Sequence, residues 1–136
     1  MVNFVNGTTP ALSSTNLNKL QTDLQTNIVS GSEKTTNMTV GGKQVYVKRI
    51  GCGSAPNGTA SNPVTKSVAH GLSNATFVKI EGVAISSSAG LTYPLPFPFE
   101  TSDRIAVWVE GNNIKIETWG NKSSFTCSVD LYYTKK

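Results

Sequence analysis

The chain has 136 residues, carries 12 basic and 8 acidic side chains for a net charge of +4, and is only 15% charged. That length suits one domain with a core of its own. The small, scattered basic excess excludes a dense nucleic-acid footprint, and no apolar run reaches the ~20 residues of a membrane span.

Residues 1–12 read as an extended arm. Asn6-Gly7 signals a turn, and Pro10 stops any helix before it. MVNFVNGTTP has neither a basic n-region nor an apolar h-region, so no secretory signal is expected. From about Asn16 to Val29, Leu17, Leu20, Leu24 and Ile28 recur at helical spacing and leave a polar opposite face. The spacing predicts an amphipathic helix roughly 21 Å long, with Gly31 as its C-cap. So short a helix is marginal alone. Its stripe needs a partner, which is either the rest of this chain or copies of the same helix in an oligomeric stalk. Residues 30–37 read as a polar linker.

The β region opens at Met38. MTV, Gly41-Gly42 and KQVYVKRI form a hairpin pattern around a two-residue turn. Residues 51–63 read as loop; their glycines lack the GK[ST] and the following helix of a phosphate loop. Thr65–Ala69 is a short strand ending at His70-Gly71. In TFVKIEGV (76–83), alternation puts Val78 and Ile80 on one face, with Phe77, Lys79 and Glu81 on the other. AISSSAGLT reads as loop or weak strand. YPLPFPFE (93–100) holds three of the six prolines, which confines it to an edge or an extended segment. RIAVWVE and NIKIETW alternate around Gly111-Asn112, and the last strand aligns Phe125, Cys127, Val129, Leu131 and Tyr133 on one face. Abundant Thr, Ser, Asn and Gly agree with many short strands and turns. The expected fold is mainly β: an antiparallel β-sandwich, jelly-roll-like, preceded by a short N-terminal α-helix. Residues 1–35 form the arm and stalk helix, and residues 36–136 the head.

Chemistry-bearing residues are sparse. The one histidine, His70, lies in a turn without a nucleophile motif and reads as locally hydrogen-bonded. A carboxylate pair for acid–base work could come from Glu100 and Asp103, close in sequence, or from Glu110 and Glu117, facing each other across a hairpin; the latter two read as solvating an outer face beside Lys115. Cys52 and Cys127 lack metal spacing and read as free thiols, with Cys127 buried. No enzyme activity, cofactor or metal is expected. Trp108 and Trp119 point away from the Ile/Val face of their hairpin, so each wants a lid, a neighbouring subunit or a ligand. Trp108 is placed at a subunit interface with Leu17, Leu20, Leu24 and Ile28. Tyr93, Phe97, Asn112, Lys115 and Trp119 are candidate ligand contacts, with Phe99 beside them. Core or interface packing and ligand contact both remain open for these aromatics. Tyr46, Lys48 and Arg49 are the only hint of an oligonucleotide-binding barrel.

NGTTPALSSTNLNKLQTDL (6–24) resembles a segment of bacteriophage tail-fibre and baseplate proteins, of the form NGTTPL-x-A-x-NLNK. QVYVKRI (44–50), TKSVAHGL (65–72), YPLP (93–96), NIKIETWGNKSSFT (113–126) and VDLYYTKK (129–136) resemble, in order, segments of their head domains. The chain departs from the pattern at Asn121-Lys122-Ser123, where an acidic residue is often seen. The resemblance implies a non-enzymatic, homotrimeric virion protein, assembled in the bacterial cytoplasm, with a helical stalk and β-sandwich heads. Its implied partners are other baseplate, tail or capsid proteins and a host surface polysaccharide, with no nucleic acid and no membrane insertion. A decoration protein without receptor binding and a secreted lectin-like domain are the alternatives.

Overall fold

A computed structural model describes residues 31–136, which form eight strands and one 3-10 turn, Thr101–Asp103. The predicted arm and helix, with Leu17, Leu20, Leu24 and Ile28, lie outside the described residues. The strands are β1 (Glu33–Val40), β2 (Lys43–Ser54), β3 (Val64–Ala69), β4 (Ala75–Ser86), β5 (Leu91–Leu95), β6 (Ile105–Glu110), β7 (Asn113–Thr118) and β8 (Thr126–Lys135). They build two antiparallel sheets, ordered β1-β2-β8-β4-β5 and β3-β7-β6. The chain crosses between sheets four times, so β8, the last strand, inserts between β2 and β4.

Alternation explains the packing of the two sheets. Ile114, Ile116 and Thr118 on β7 are buried, and opposite them on β6 Ile105, Val107 and Val109 face the same side. They meet Ile50, Ala84, Leu95, Cys127, Val129 and Leu131 of the larger sheet in one apolar cluster. The expected inward row of β8 is observed: Phe125, just before the strand, and Cys127, Val129, Leu131 and Tyr133 are all buried. The β1–β2 turn is also as expected. Gly41 and Gly42 have φ of +58° and +75°, the left-handed pair a two-residue hairpin turn requires.

Three expectations are corrected. The chain is in strand from Glu33, so residues 33–37 are not a linker: β1 pairs with β2 from Glu33 opposite Lys48, although its side chains are mostly exposed. The second correction is that β2 runs on to Ser54, absorbing Cys52 as the extra residue of a bulge between Gly51 and Gly53. Finally, Phe77 and Val78 exchange faces. Phe77 lies opposite Tyr133 and Lys79 opposite Tyr132, so Val78 is a bulge residue and is left exposed, while Phe77 packs on the core. A single inserted residue inverts the facing of everything before it. The YPLP segment is an edge strand, as its prolines require, with Pro94 opposite Val83.

Candidate functional site

The predicted ligand contacts divide between separate places. Tyr93 on β5 and Phe97 beyond it belong to a column of four rings. Phe125 stacks on Tyr93 (centroids 4.9 Å apart), Tyr93 on Phe97 (4.1 Å, 9° between planes) and Phe97 on Phe99 (5.6 Å, 17°). Tyr93 and Phe97 therefore have both faces occupied. Phe99 ends the column and is 60% exposed, between exposed Pro96 and Pro98 on one side and Glu100 on the other. At the buried end the Lys122 ammonium lies 5.4 Å from the Tyr93 ring centre and 5.5 Å from that of Phe125, with its charge met by Asp103. Lys122 is buried, and only this carboxylate and these ring faces make that tolerable. Neither Lys122 nor Asp103 was expected here; a lysine between Asn121 and Ser123 reads as an ordinary loop residue.

Trp119 is on the outer side of the smaller sheet. Its backbone N–H donates to the Arg104 carbonyl (3.2 Å), and the Arg104 guanidinium lies over the indole, 5.2 Å from its centre. Asn112 is exposed at the opposite end of β7, in the β6–β7 turn. Lys115, on the outer face, pairs with Glu110 at 3.3 Å and lies opposite Trp108 in the β6–β7 ladder. Trp108 points outward, as expected, and is half-buried. The five candidate residues are thus brought together only at Tyr93 and Phe97. Spacing along a strand says which residues share a face, but not which ends of two sheets meet.

His70 is a structural residue at the end of β3. Its Nδ1 accepts the Leu72 N–H (3.0 Å), its Nε2 lies 3.1 Å from the Gly111 carbonyl, and Phe77 meets the ring edge-on. A neutral ring protonated at Nε2 satisfies both hydrogen bonds. The carboxylates of the β6–β7 hairpin do not pair with each other. Glu117 accepts from the Thr65 hydroxyl (2.6 Å) and Glu110 from Lys115, and they do not face each other. Among the described residues no three His, Cys, Asp or Glu side chains cluster as metal ligands. The hint of an oligonucleotide surface also divides. Tyr46 stacks on Tyr133 and Lys48 donates to the His70 carbonyl on one side of β2, while Arg49 lies on the other side.

That other side, the outer face of the larger sheet, holds a concavity. A groove of about 370 Å³ runs between Arg49, Glu81, Val83, Pro94, Ser128 and Asp130. Asp130 is buried, and the Arg49 guanidinium grips both its oxygens, at 2.7 Å through Nε and 2.9 Å through Nη2. Glu81 accepts from the Tyr132 hydroxyl (2.9 Å) and pairs with Lys79 at 3.3 Å. Burial, and then this bond to Glu81, push the Tyr132 phenol up to about 12, so it stays a donor. These polar residues are outward positions on otherwise apolar strands. The available signal was the charged members of VYVKRI and SVDLYY, which fall between the core residues.

Compared with protein-family models, curated proteins and solved structures, the chain matches none.

Proposed function

We propose that this chain is a phage virion protein, a homotrimeric tail-fibre or baseplate adhesin whose β-sandwich head binds a host surface saccharide. The carrying observation is the aromatic column. Phe99 stacks on Phe97, the outer member of a column backed by Tyr93, Phe125 and a buried lysine, and is 60% exposed beside two exposed prolines. A rigid, half-solvated aromatic face is the usual counterpart of a sugar's apolar C–H face, because it gains dispersion and apolar burial without ordering a mobile side chain. The antiparallel sandwich and the resemblance of six ordered segments to phage fibre proteins support the same reading. Trimerisation through the outer face of the smaller sheet would cover Trp108, which lies half-buried beside Lys115.

The test is a glycan array and whole-bacterium binding with the full chain and with Phe99→Ala. Binding that falls about tenfold or more in the variant agrees with stacking at this ring. Absence of binding by the unaltered chain to glycans and to cells would overturn the adhesin and leave an architectural virion role. Light scattering during size exclusion should give three times the 14.5 kDa chain mass, and Trp108→Ala should lower it.

A further inference from the structure

The groove on the outer face of the larger sheet is not part of the aromatic platform. Both use β5, but from opposite sides: Tyr93 turns inward to the ring column, while Pro94 and its partner Val83 on β4 turn outward to the groove. We propose that this groove is a second binding site, for one neutral hexopyranose unit. The proposal takes the saccharide-binding reading as its setting and assigns a contact which that reading does not need.

The groove's chemistry carries the argument. Its volume of about 370 Å³ lies at the small end of the range for ligand sites. Its polar groups are fixed before any ligand arrives. Asp130 is locked by two hydrogen bonds from Arg49, and only 8% of its side chain is exposed. A guanidinium has five N–H donors, and Asp130 takes two of them. The Asp130 and Glu81 oxygens keep further lone pairs, and the Ser128 hydroxyl can donate or accept. Planar donors and acceptors side by side match adjacent sugar hydroxyls, each of which both donates and accepts. Val83 and Pro94 form an apolar wall for the C–H face of the ring.

Charge decides between sugar classes. The groove's own lining carries one cation, Arg49, against two carboxylates, Asp130 and Glu81. Arg49 is already neutralised by Asp130 and Glu81 is paired with Lys79, so among the described residues an incoming carboxylate or sulfate finds no unpaired cation in the groove to receive it. A uronic or sialic acid is therefore disfavoured, and an uncharged hexose is the ligand expected.

The experiment is an amide NMR titration of the full chain with methyl α-mannoside, methyl α-glucoside, methyl β-galactoside and, as acidic control, methyl glucuronide. At least one neutral glycoside should shift the amides of Gly82, Val83, Ser128 and Asp130, with glucuronide about tenfold weaker. Val83→Trp, which fills the groove from its outer wall, should abolish these shifts. Glu81→Gln keeps the shape, loses an anionic acceptor, and should reduce the discrimination against glucuronide. The proposal is overturned if no neutral glycoside shifts the groove amides, if Val83→Trp leaves the shifts intact, or if glucuronide binds as well. Its failure is separable from that of the adhesin reading. Glycan and cell binding lost in Phe99→Ala, with no neutral glycoside shifting the groove amides, overturns the groove alone. Groove shifts in a chain that binds no cells or glycans uphold the groove and overturn the adhesin.

Discussion

At the scale of single residues, no buried side-chain polar atom among the described residues lacks a partner. Asp130 and Arg49 show how this is arranged: a carboxylate on the outer face of a central strand is held by a bidentate guanidinium on the next strand. Asp130→Ala leaves that guanidinium unpaired. Because 40% of the Arg49 side chain reaches water, the cost is screened and should be about 2 kcal/mol, less than for a fully buried pair. Urea unfolding of the two chains measures it, and a cost below a few tenths of a kcal/mol would show that the pair contributes little. Cys52 and Cys127 are buried thiols, each pushed up to about 11, chiefly by burial. Thiolate is scarce at such values and the sulfurs are shielded, so both should resist alkylation at pH 8 in the folded chain and both should react once it is unfolded. Mass spectrometry after iodoacetamide reads this directly, and rapid modification of the folded chain would contradict it. Residue type and strand position made Cys127 legible as buried. Nothing local marked Lys122 as buried, since its carboxylate lies 19 residues away at Asp103.

At the scale of elements, hydrophobic alternation and turn chemistry found most of the strands. The Gly41-Gly42 hairpin, the β6–β7 hairpin and the inward row of β8 all follow from period-two patterning. Three register breaks escaped it, one of them in β1 between Thr35 and Thr39. Cys52 and Val78 are single extra residues that nothing in their own sequence distinguishes, and the one at Val78 reversed the assignment of Phe77. The first half of β1 escaped because its side chains, EKTTN, are nearly all exposed and so carry no burial pattern to read. One element contact depends on close approach. A side chain at Gly82 on β4 would collide with the backbone carbonyl of Ser128 on β8. Gly82→Ala should therefore force the two strands apart and cost about 2–3 kcal/mol by urea unfolding; an unchanged midpoint would mean that the ladder relaxes freely. β1 is held to β8 across β2 by Glu33, which accepts from the Tyr133 hydroxyl and from Lys135 (3.0 Å). These bonds, Tyr133's first, hold the Glu33 carboxyl below its ordinary 4.5. Its folded pKa is the lower one, so its contribution is complete above the unfolded value and is lost as the pH falls through the folded one. As the pH falls below about 5, Glu33→Gln should lose stability less steeply than the parent chain. Parallel losses would rule out this contact as a source of acid lability.

At the scale of the whole molecule, the sandwich was legible because many short alternating strands without long helical patterns leave few other ways to bury their apolar faces. The division into five and three strands was not, because strand order depends on contacts distant in sequence. The same holds for the candidate site. YPLPFPF was read as a candidate ligand segment, yet its two faces line different places: a closed ring column inside and a polar groove outside. The strand order also makes the molecule mechanically uneven. β8 is paired on both sides along most of its length, to β2 and to β4, whereas β1 is an edge strand held by a single ladder. Tension drawn along β8 loads two ladders in shear and must break many hydrogen bonds together. Tension that peels β1 from the edge opens its pairs one after another. Loaded through its last strand, the domain behaves as a clamp; loaded through β1, it behaves as a zip.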